Sequence, residues 1–565
     1  PFGLATRLTV RGHMQLTFFS SEQSSQSRLA IWQLALIAFG MLFLRAWPRL
    51  FWPDVWDEDG IQNLYGFLSR GWIDMLTPVS GYLIVIPKTM TYLSALISIT
   101  YYPFFSTVFT WIFTVFVFVT IAKAPTYLKG GVWLAVFCAL LPTNPEVFGL
   151  PLYSFWWGSL LLPILVFWDE KKSHSIFRIF LLLIASMSTP FCVATLPLFF
   201  IRAYILRKHR IEVIIAVLAL LTTVTQFWIM YPQTSSFVAA LLYKVLPRFF
   251  GGYTVVNLYP SLAWIGAVCL CLYGIAGIVR NRHSWVLWGL GYLMVVSIVM
   301  SVTRTHINDL DQSVGGPRYF FFPYIFISWY LVQLVYQDKA KWFRWIGCGF
   351  LGLSLINAIP VLGRNHDSLY WKDHVYSCVN FERYELPAHF AGSAGDIWPF
   401  PIDGALCASW LQKDPLASTP KATYPYRVLR KIKPEDYANF NIAKASQVKK
   451  SEWQGQDYET IKSGKSSLPE GYRIIGSYTG KPNNAPSSVK VHLRRGQQVL
   501  YRTESNSGNQ QVIIDGYKDQ FITRAIVAPK WMIYDFSNRQ LPEEFDVIFT
   551  DQTGPGEWSA IALKE

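Results

Sequence analysis

Two short groups of residues in this 565-residue chain could do chemistry together. The first is Trp56-Asp57-Glu58-Asp59-Gly60, three consecutive carboxylates placed directly after a long apolar run. Carboxylates crowded beside an apolar surface repel one another and lose hydration, so at least one pKa is expected to rise, which suits a group that accepts a proton near neutral pH. An acidic loop on its own is more often a solvated helix stop. The second group is Gly315-Gly316-Pro317-Arg318-Tyr319, an arginine at the head of a late apolar run. A carboxylate that takes a proton from a hydroxyl and a guanidinium that grips a departing phosphate through forked hydrogen bonds are the parts needed for transfer from a lipid phosphate.

Other candidates lie in the same outer loops. Tyr82 and Lys88 follow the acidic group, and Asn144 and Glu146 lie in a Thr-Asn-Pro-Glu turn. His306 precedes the arginine group. Glu146 could line a sugar or acceptor site, or merely cap the next helix. His306 has no placed partner and reads more simply as an interface histidine. The clustered carboxylates could hold a divalent cation without requiring one. No GxGxxG or Walker loop opens a strand–helix unit, so a nucleotide platform is unsupported.

The elements that must position these groups are apolar. The chain is 52% hydrophobic and 16% aromatic but only 15% charged. Its apolar residues come in blocks long enough for membrane spans. Eleven are expected, at about 31–52, 102–122, 130–144, 150–168, 175–189, 191–206, 211–231, 259–279, 284–303, 319–337 and 343–363. Every second short loop is basic: Lys123 and Lys129; Lys171 and Lys172; Arg207, Lys208 and Arg210; Arg280 and Arg282; Lys339, Lys341 and Arg344. That side is then cytoplasmic, with the N-terminal tail, while the acidic group and everything after 363 face outward.

Segments 61–70 and 83–99 fit helices lying along the outer surface. Arg45, Arg49, Arg178 and Arg202 fall near span ends, where they are expected to snorkel. The net charge of +14 sits in the short loops rather than in a basic stripe, so nucleic acid is not an expected partner and the membrane is.

After residue 363 the composition changes. Residues 364–468 read as a polar, aromatic and then linker-like region, and 469–565 as an antiparallel β-sandwich of about eight strands. Cys378 and Cys407 are the two cysteines of the outer region, and a disulfide between them is expected. The domain plan is therefore a tail (1–30), a membrane domain (31–363), a linker region and a sandwich.

The stretch from Trp56 to Lys88 resembles the first outer loop of the GT-C glycosyltransferases that use polyprenyl-phosphate sugars. Relatives include the protein O-mannosyltransferases, the lipid A aminoarabinose transferases, and bacterial enzymes that decorate O-antigen or pilin. "GGPRYFFFP" is similar to their Arg-Tyr motif. The resemblance covers about residues 30–363. It implies Asp57 or Asp59 as catalytic base with Glu58 beside it, Arg318 on the donor phosphate and Tyr319 next to it. Lys88 falls where some relatives carry a basic residue, although their Lys-Pro-Pro run is missing. The implied donor is a polyprenyl-phosphate sugar, and the implied acceptor is a hydroxyl of an envelope glycan or surface protein. Two alternatives stand beside this reading: a polymerase or ligase moving a whole lipid-linked glycan, and a membrane-anchored glycan-binding protein.

Overall fold

The computed structural model describes residues 28–56, 58–172, 174–229, 242–255, 260–304, 310–312, 316–363, 366, 368–389, 397–429, 439–480, 486–503, 510–526, 530–551 and 558–565. Each of the eleven apolar runs carries a helix. Among the described residues, six helices are long and apolar enough to cross a membrane: Tyr102–Lys123, Arg210–Phe227, Ser261–Arg280, Trp285–Arg304, Pro317–Gln337 and Lys341–Val361. Ile31–Ala46, Ser154–Val166, Ser175–Ser186 and Phe191–Ile205 are shorter apolar helices, and Gly131–Ala139 is shorter still. The 150–168 run divides at Leu160 into Ser154–Ser159 and Leu161–Val166, whereas Phe191–Ile205 fills its run although Pro197 in its interior removes one ladder hydrogen bond.

The chain forms two compact units. One comprises Pro1–Leu50, Ile73–Met90 and Ser106–Asn365, and the other Phe51–Trp72, Thr91–Phe105 and His366–Glu565.

The first unit is helical, and its buried charges correct the snorkelling expectation. Arg178 and Arg202 are each 1% exposed and share the carboxylate of Glu212. Arg178 makes two parallel bonds to Glu212 at 2.8 and 2.9 Å. Arg202 adds bonds at 2.6 and 3.0 Å and donates to the Val166 carbonyl at 2.9 Å. An acid three residues into its helix can meet both guanidiniums because helices Ser175–Ser186, Phe191–Ile205 and Arg210–Ile229 pack together. Arg45 and Arg49 are likewise buried. Arg45 donates to the carbonyls of Leu141 (3.2 Å) and Thr143 (2.6 Å) and lies 4.3 Å from the centre of the Phe148 ring. Arg49 donates to the carbonyls of Glu146 and Phe148. The buried arginines of the first helices thus hold the backbone of the 141–148 turn.

Among its described residues the second unit carries eleven strands: β1 (Arg383–Leu386), β2 (Phe400–Asp403), β3 (Arg427–Leu429), β4 (Val448–Ser451), β5 (Tyr472–Gly476), β6 (Ser487–Arg494), β7 (Gln498–Thr503), β8 (Gln511–Ile514), β9 (Met532–Asp535), β10 (Glu544–Asp551) and β11 (Ser559–Lys564). β1 and β2 pair antiparallel. The others form a four-stranded sheet, β4-β6-β10-β8, and a five-stranded sheet, β3-β9-β7-β11-β5.

Period-two patterning explains the sandwich. Val489, Val491 and Leu493 of β6 face Val547 and Phe549 of β10 and meet Tyr501, Tyr534, Ile561 and Leu563 of the other sheet in one core. The alternate residues form outward polar pairs in register, such as His492 with Asp546 and Arg494 with Glu544. The five-stranded sheet is buried on both faces, because Leu500, Ile533, Ala560 and Ala562 pack under Trp531, Trp558, Ile442 and Leu468. Among the described residues, 469–565 holds seven strands, β5 to β11, where about eight were expected. Between β8 and β9, Phe521 and Arg524 make isolated bridges. The stretch 364–468 supplies β3, β4 and part of that covering layer, which their short length hid in the sequence.

The expected disulfide joins Cys378, in a 3-10 turn, to Cys407 in helix Gly404–Lys413, with Cα atoms 6.3 Å apart. It closes a loop of 29 residues. Replacing both cysteines by serine is expected to lower the stability of this unit by about 2–4 kcal/mol. Denaturant midpoints of the wild type, with and without reductant, and of the double variant check this.

A second prediction concerns pH. His374 is 1% exposed, its Nδ1 lies 2.7 Å from the Tyr384 hydroxyl, and its ring stacks on Tyr424 at 4.4 Å. Burial, followed by the charge of Arg524, holds its pKa down at about 3. The unfolded chain therefore takes up a proton below pH ~6.5 that the folded chain refuses until about 3. Stability from this group is complete above pH ~6.5 and falls as pH drops through that window, by at most about 1.4 kcal/mol per pH unit. Urea midpoints of wild type and His374→Phe between pH 7 and 4 should diverge from parallel, with the flatter profile in the variant.

Candidate active site

In the helical unit the arginine group is built by local chemistry. Gly316 adopts φ +68°, a left-handed conformation that glycine takes without strain, and Pro317 then starts the 3-10 turn Pro317–Phe320. Helix Phe321–Gln337 follows, so Arg318 stands at the head of an apolar helix. Its guanidinium pairs with Glu146, and its backbone N–H donates to Glu146 Oε2 at 3.1 Å. Glu146 is 1% exposed and lies in the short turn Pro145–Val147, where Arg49 holds its backbone carbonyl. Tyr153 completes the group, its hydroxyl 3.0 Å from both Glu146 Oε1 and Arg318 Nη1.

The guanidinium also lies 5.2 Å from the Tyr319 ring centre and 5.8 Å from that of Tyr153. Its side chain keeps 31% of its surface exposed. A buried carboxylate thus orients a partly exposed guanidinium, an arrangement able to receive a phosphate. Tyr153 was missed in the sequence because it is one aromatic residue among many.

Tyr82 joins the same surroundings. Val79 and Tyr82 exchange backbone hydrogen bonds at 2.9 and 3.2 Å around Ser80 and Gly81, both with positive φ, as a type I′ turn requires. The Tyr82 ring packs edge-on against Phe155 at 5.7 Å and lies 5.7 Å from the Arg304 guanidinium. Phe155 packs on Trp156, and Trp156 on Tyr319. Asn144 donates its backbone N–H to the Gln312 carbonyl at 2.9 Å. Lys88 is fully buried in a separate pair. Its ammonium lies 2.9 Å from Asp74 Oδ2 and donates to the carbonyls of Thr77 (2.7 Å) and Asp74, which engages three donors. His306 lies outside the described residues.

The acidic group belongs to the other unit, and Asp57 lies outside the described residues. Glu58 precedes a π-helical turn, Asp59–Leu64, a rare geometry that recurs at functional sites. Asp59 is 2% exposed, accepts from Asn63 Nδ2 at 3.0 Å, and donates its backbone N–H to the Trp56 carbonyl at 3.0 Å. Gly60 is required beside it, because a Cβ there would overlap the Phe400 ring.

Asp54, just before this group, accepts the Leu369 N–H at 2.9 Å and lies 3.3 Å from His389 Nε2. Trp56 packs against the rings of His366 (5.0 Å) and His389 (4.6 Å). Neither histidine was singled out in the sequence, where they stand 23 residues apart without a motif.

The fold defines a multi-pass helical membrane protein with a C-terminal β-sandwich. No family model and no curated protein matches the sequence significantly. Among solved structures the chain is similar to the arabinosyltransferase EmbB from Mycobacterium smegmatis, at 12% identity and a TM-score of 0.30, over 99% of this chain and 68% of that one.

Proposed function

We propose that this chain is a GT-C-type glycosyltransferase that moves one sugar from a polyprenyl-phosphate carrier, undecaprenyl phosphate or a similar lipid, to a hydroxyl on an envelope glycan or surface protein. The observation that carries the reading is Arg318, held at the head of its helix by the buried carboxylate of Glu146 and the Tyr153 hydroxyl. A carboxylate of the Asp57–Asp59 group removes the acceptor proton, the acceptor oxygen attacks the anomeric carbon, and the bond from that carbon to the phosphate oxygen breaks. The configuration inverts.

Arg318 stabilises the charge gathering on the leaving phosphate. Tyr319 and Tyr82 line the site, with Asn144 and Glu146 supporting it. Lys88, as a second cation, would exchange the Thr77 carbonyl for a phosphate oxygen. In this reading the protein lies in a bacterial inner membrane, with its N-terminus cytoplasmic and the site and sandwich on the outer face.

The test is single replacement of Asp57 and Asp59 by Asn and of Glu58 by Gln, followed by a transfer assay with polyprenyl-phosphate sugar. One of the three should lose transfer by a factor of about 10² or more. Unchanged transfer in all three, or glycan binding without transfer, contradicts the reading and favours an anchored glycan-binding protein.

A further inference from the structure

We propose that Asp54, His366 and His389 form a zinc site that pins the segment leading into the acidic group. The three lie in one compact unit, and one ligand atom from each falls within 4.8 Å of the others. Imidazole nitrogens with a carboxylate oxygen are a donor set suited to zinc, and three protein ligands leave a fourth position for water.

Two ligands about 2.0–2.1 Å from a tetrahedral ion stand roughly 3.3–3.4 Å apart. The 3.3 Å between His389 Nε2 and Asp54 Oδ2 already meets that spacing, so His366 needs the larger adjustment, and it is the less buried of the two histidines.

A second observation points independently to an ion. Asp54 is nearly enclosed, with 1% of its side chain exposed, and among the described residues its Oδ1 has no hydrogen-bond partner. A buried carboxylate oxygen left unmatched is costly unless a donor or a cation meets it. The surroundings are also those of a held ligand set. His366 Nε2 lies 3.1 Å from the Trp52 carbonyl. A bond donated from that nitrogen leaves Nδ1 with the lone pair, the orienting device common around metal-bound histidine. His389 is fixed through its backbone, which donates to the Val55 carbonyl at 2.8 Å, and Trp56 packs on both rings. The bound ion ties residues 54, 366 and 389 together immediately before Asp57.

The experiment uses the full chain in detergent, loaded with Zn²⁺ alone and desalted into metal-free buffer. Elemental mass spectrometry should find about one zinc per chain. Chelation should lower the melting temperature by several degrees, and added Zn²⁺ should restore it. His366→Gln should retain the size-exclusion profile of the wild type, carry less than about a tenth of the zinc, and melt at the chelated temperature whether or not Zn²⁺ is present. Asp54→Asn should lose the zinc too. Should the Asp54 variant fail to fold, the more exposed His366 position decides the matter alone. A wild-type chain that keeps no zinc after loading overturns the site, as does a His366→Gln chain that keeps as much as wild type. Zinc content is read without reference to sugar transfer, so either proposal can fail while the other stands.

Discussion

Replacing Glu212 by Gln is expected to destabilise the helical unit by about 3–5 kcal/mol. The carboxylate is fully buried and receives four hydrogen bonds from two guanidiniums that are themselves 1% exposed. Gln has almost the same volume, so the loss is electrostatic rather than steric. Two cations about a carboxylate's width apart would remain buried, with one amide oxygen where a full negative charge had been. Arg202 would keep its bond to the Val166 carbonyl, but a neutral acceptor does not offset burial of the charge. Removing all three charges together, with Arg178→Met, Glu212→Leu and Arg202→Met, should cost far less than the single change, since an apolar replacement of matching volume leaves nothing unpaired. Melting temperatures of the single and triple variants in the same detergent check this. Equal destabilisation by both would show that the triad acts through packing and not through charge.

Replacing Arg318 by Lys is expected to reduce sugar transfer by a factor of about 10²–10³ with little change in stability. Lys keeps a cation against Glu146, so the buried carboxylate stays paired. A point charge cannot hold Glu146 and grip a phosphate with the planar fork of a guanidinium. Ala at the same position also removes transfer, but it strands Glu146 and should lower stability by about 3–5 kcal/mol, which makes it the poorer probe. The loss with Lys should fall on kcat more than on KM, because charge on the phosphate is greatest as the bond to the sugar breaks. Full transfer by the Lys variant would move the phosphate away from Arg318.

The helical runs were legible because membrane length and apolar composition leave a strong trace in one dimension. All eleven carry helices, although several are shorter than the runs that announced them. The sandwich was legible through alternation, most clearly in β6 and β10, where buried Val489, Val491 and Leu493 and buried Phe545, Val547 and Phe549 alternate with less buried residues. Strands β3 and β4, of three and four residues, have too little pattern to separate from linker.

Charge pairing was the main loss. Arg178 and Arg202 lie 34 and 10 residues before Glu212, and nothing in such spacing says that one carboxylate serves both. Glu146 was visible as a candidate, but its partner Arg318 is 172 residues away and Tyr153 is hidden among aromatics. Gly60 and Gly316 were visible inside motifs, but the reasons for them were not. One lies against the Phe400 ring, and the other holds a left-handed φ before Pro317.

The most direct measurement is mass spectrometry of envelope glycans and surface proteins from three strains: one carrying the chain, one lacking it, and one carrying only the Arg318→Lys form. The proposed activity requires that one component differ by the mass of a single sugar residue in the first strain alone. Indistinguishable spectra from all three strains, or a difference of many sugars at once, would contradict transfer of one sugar from a lipid phosphate.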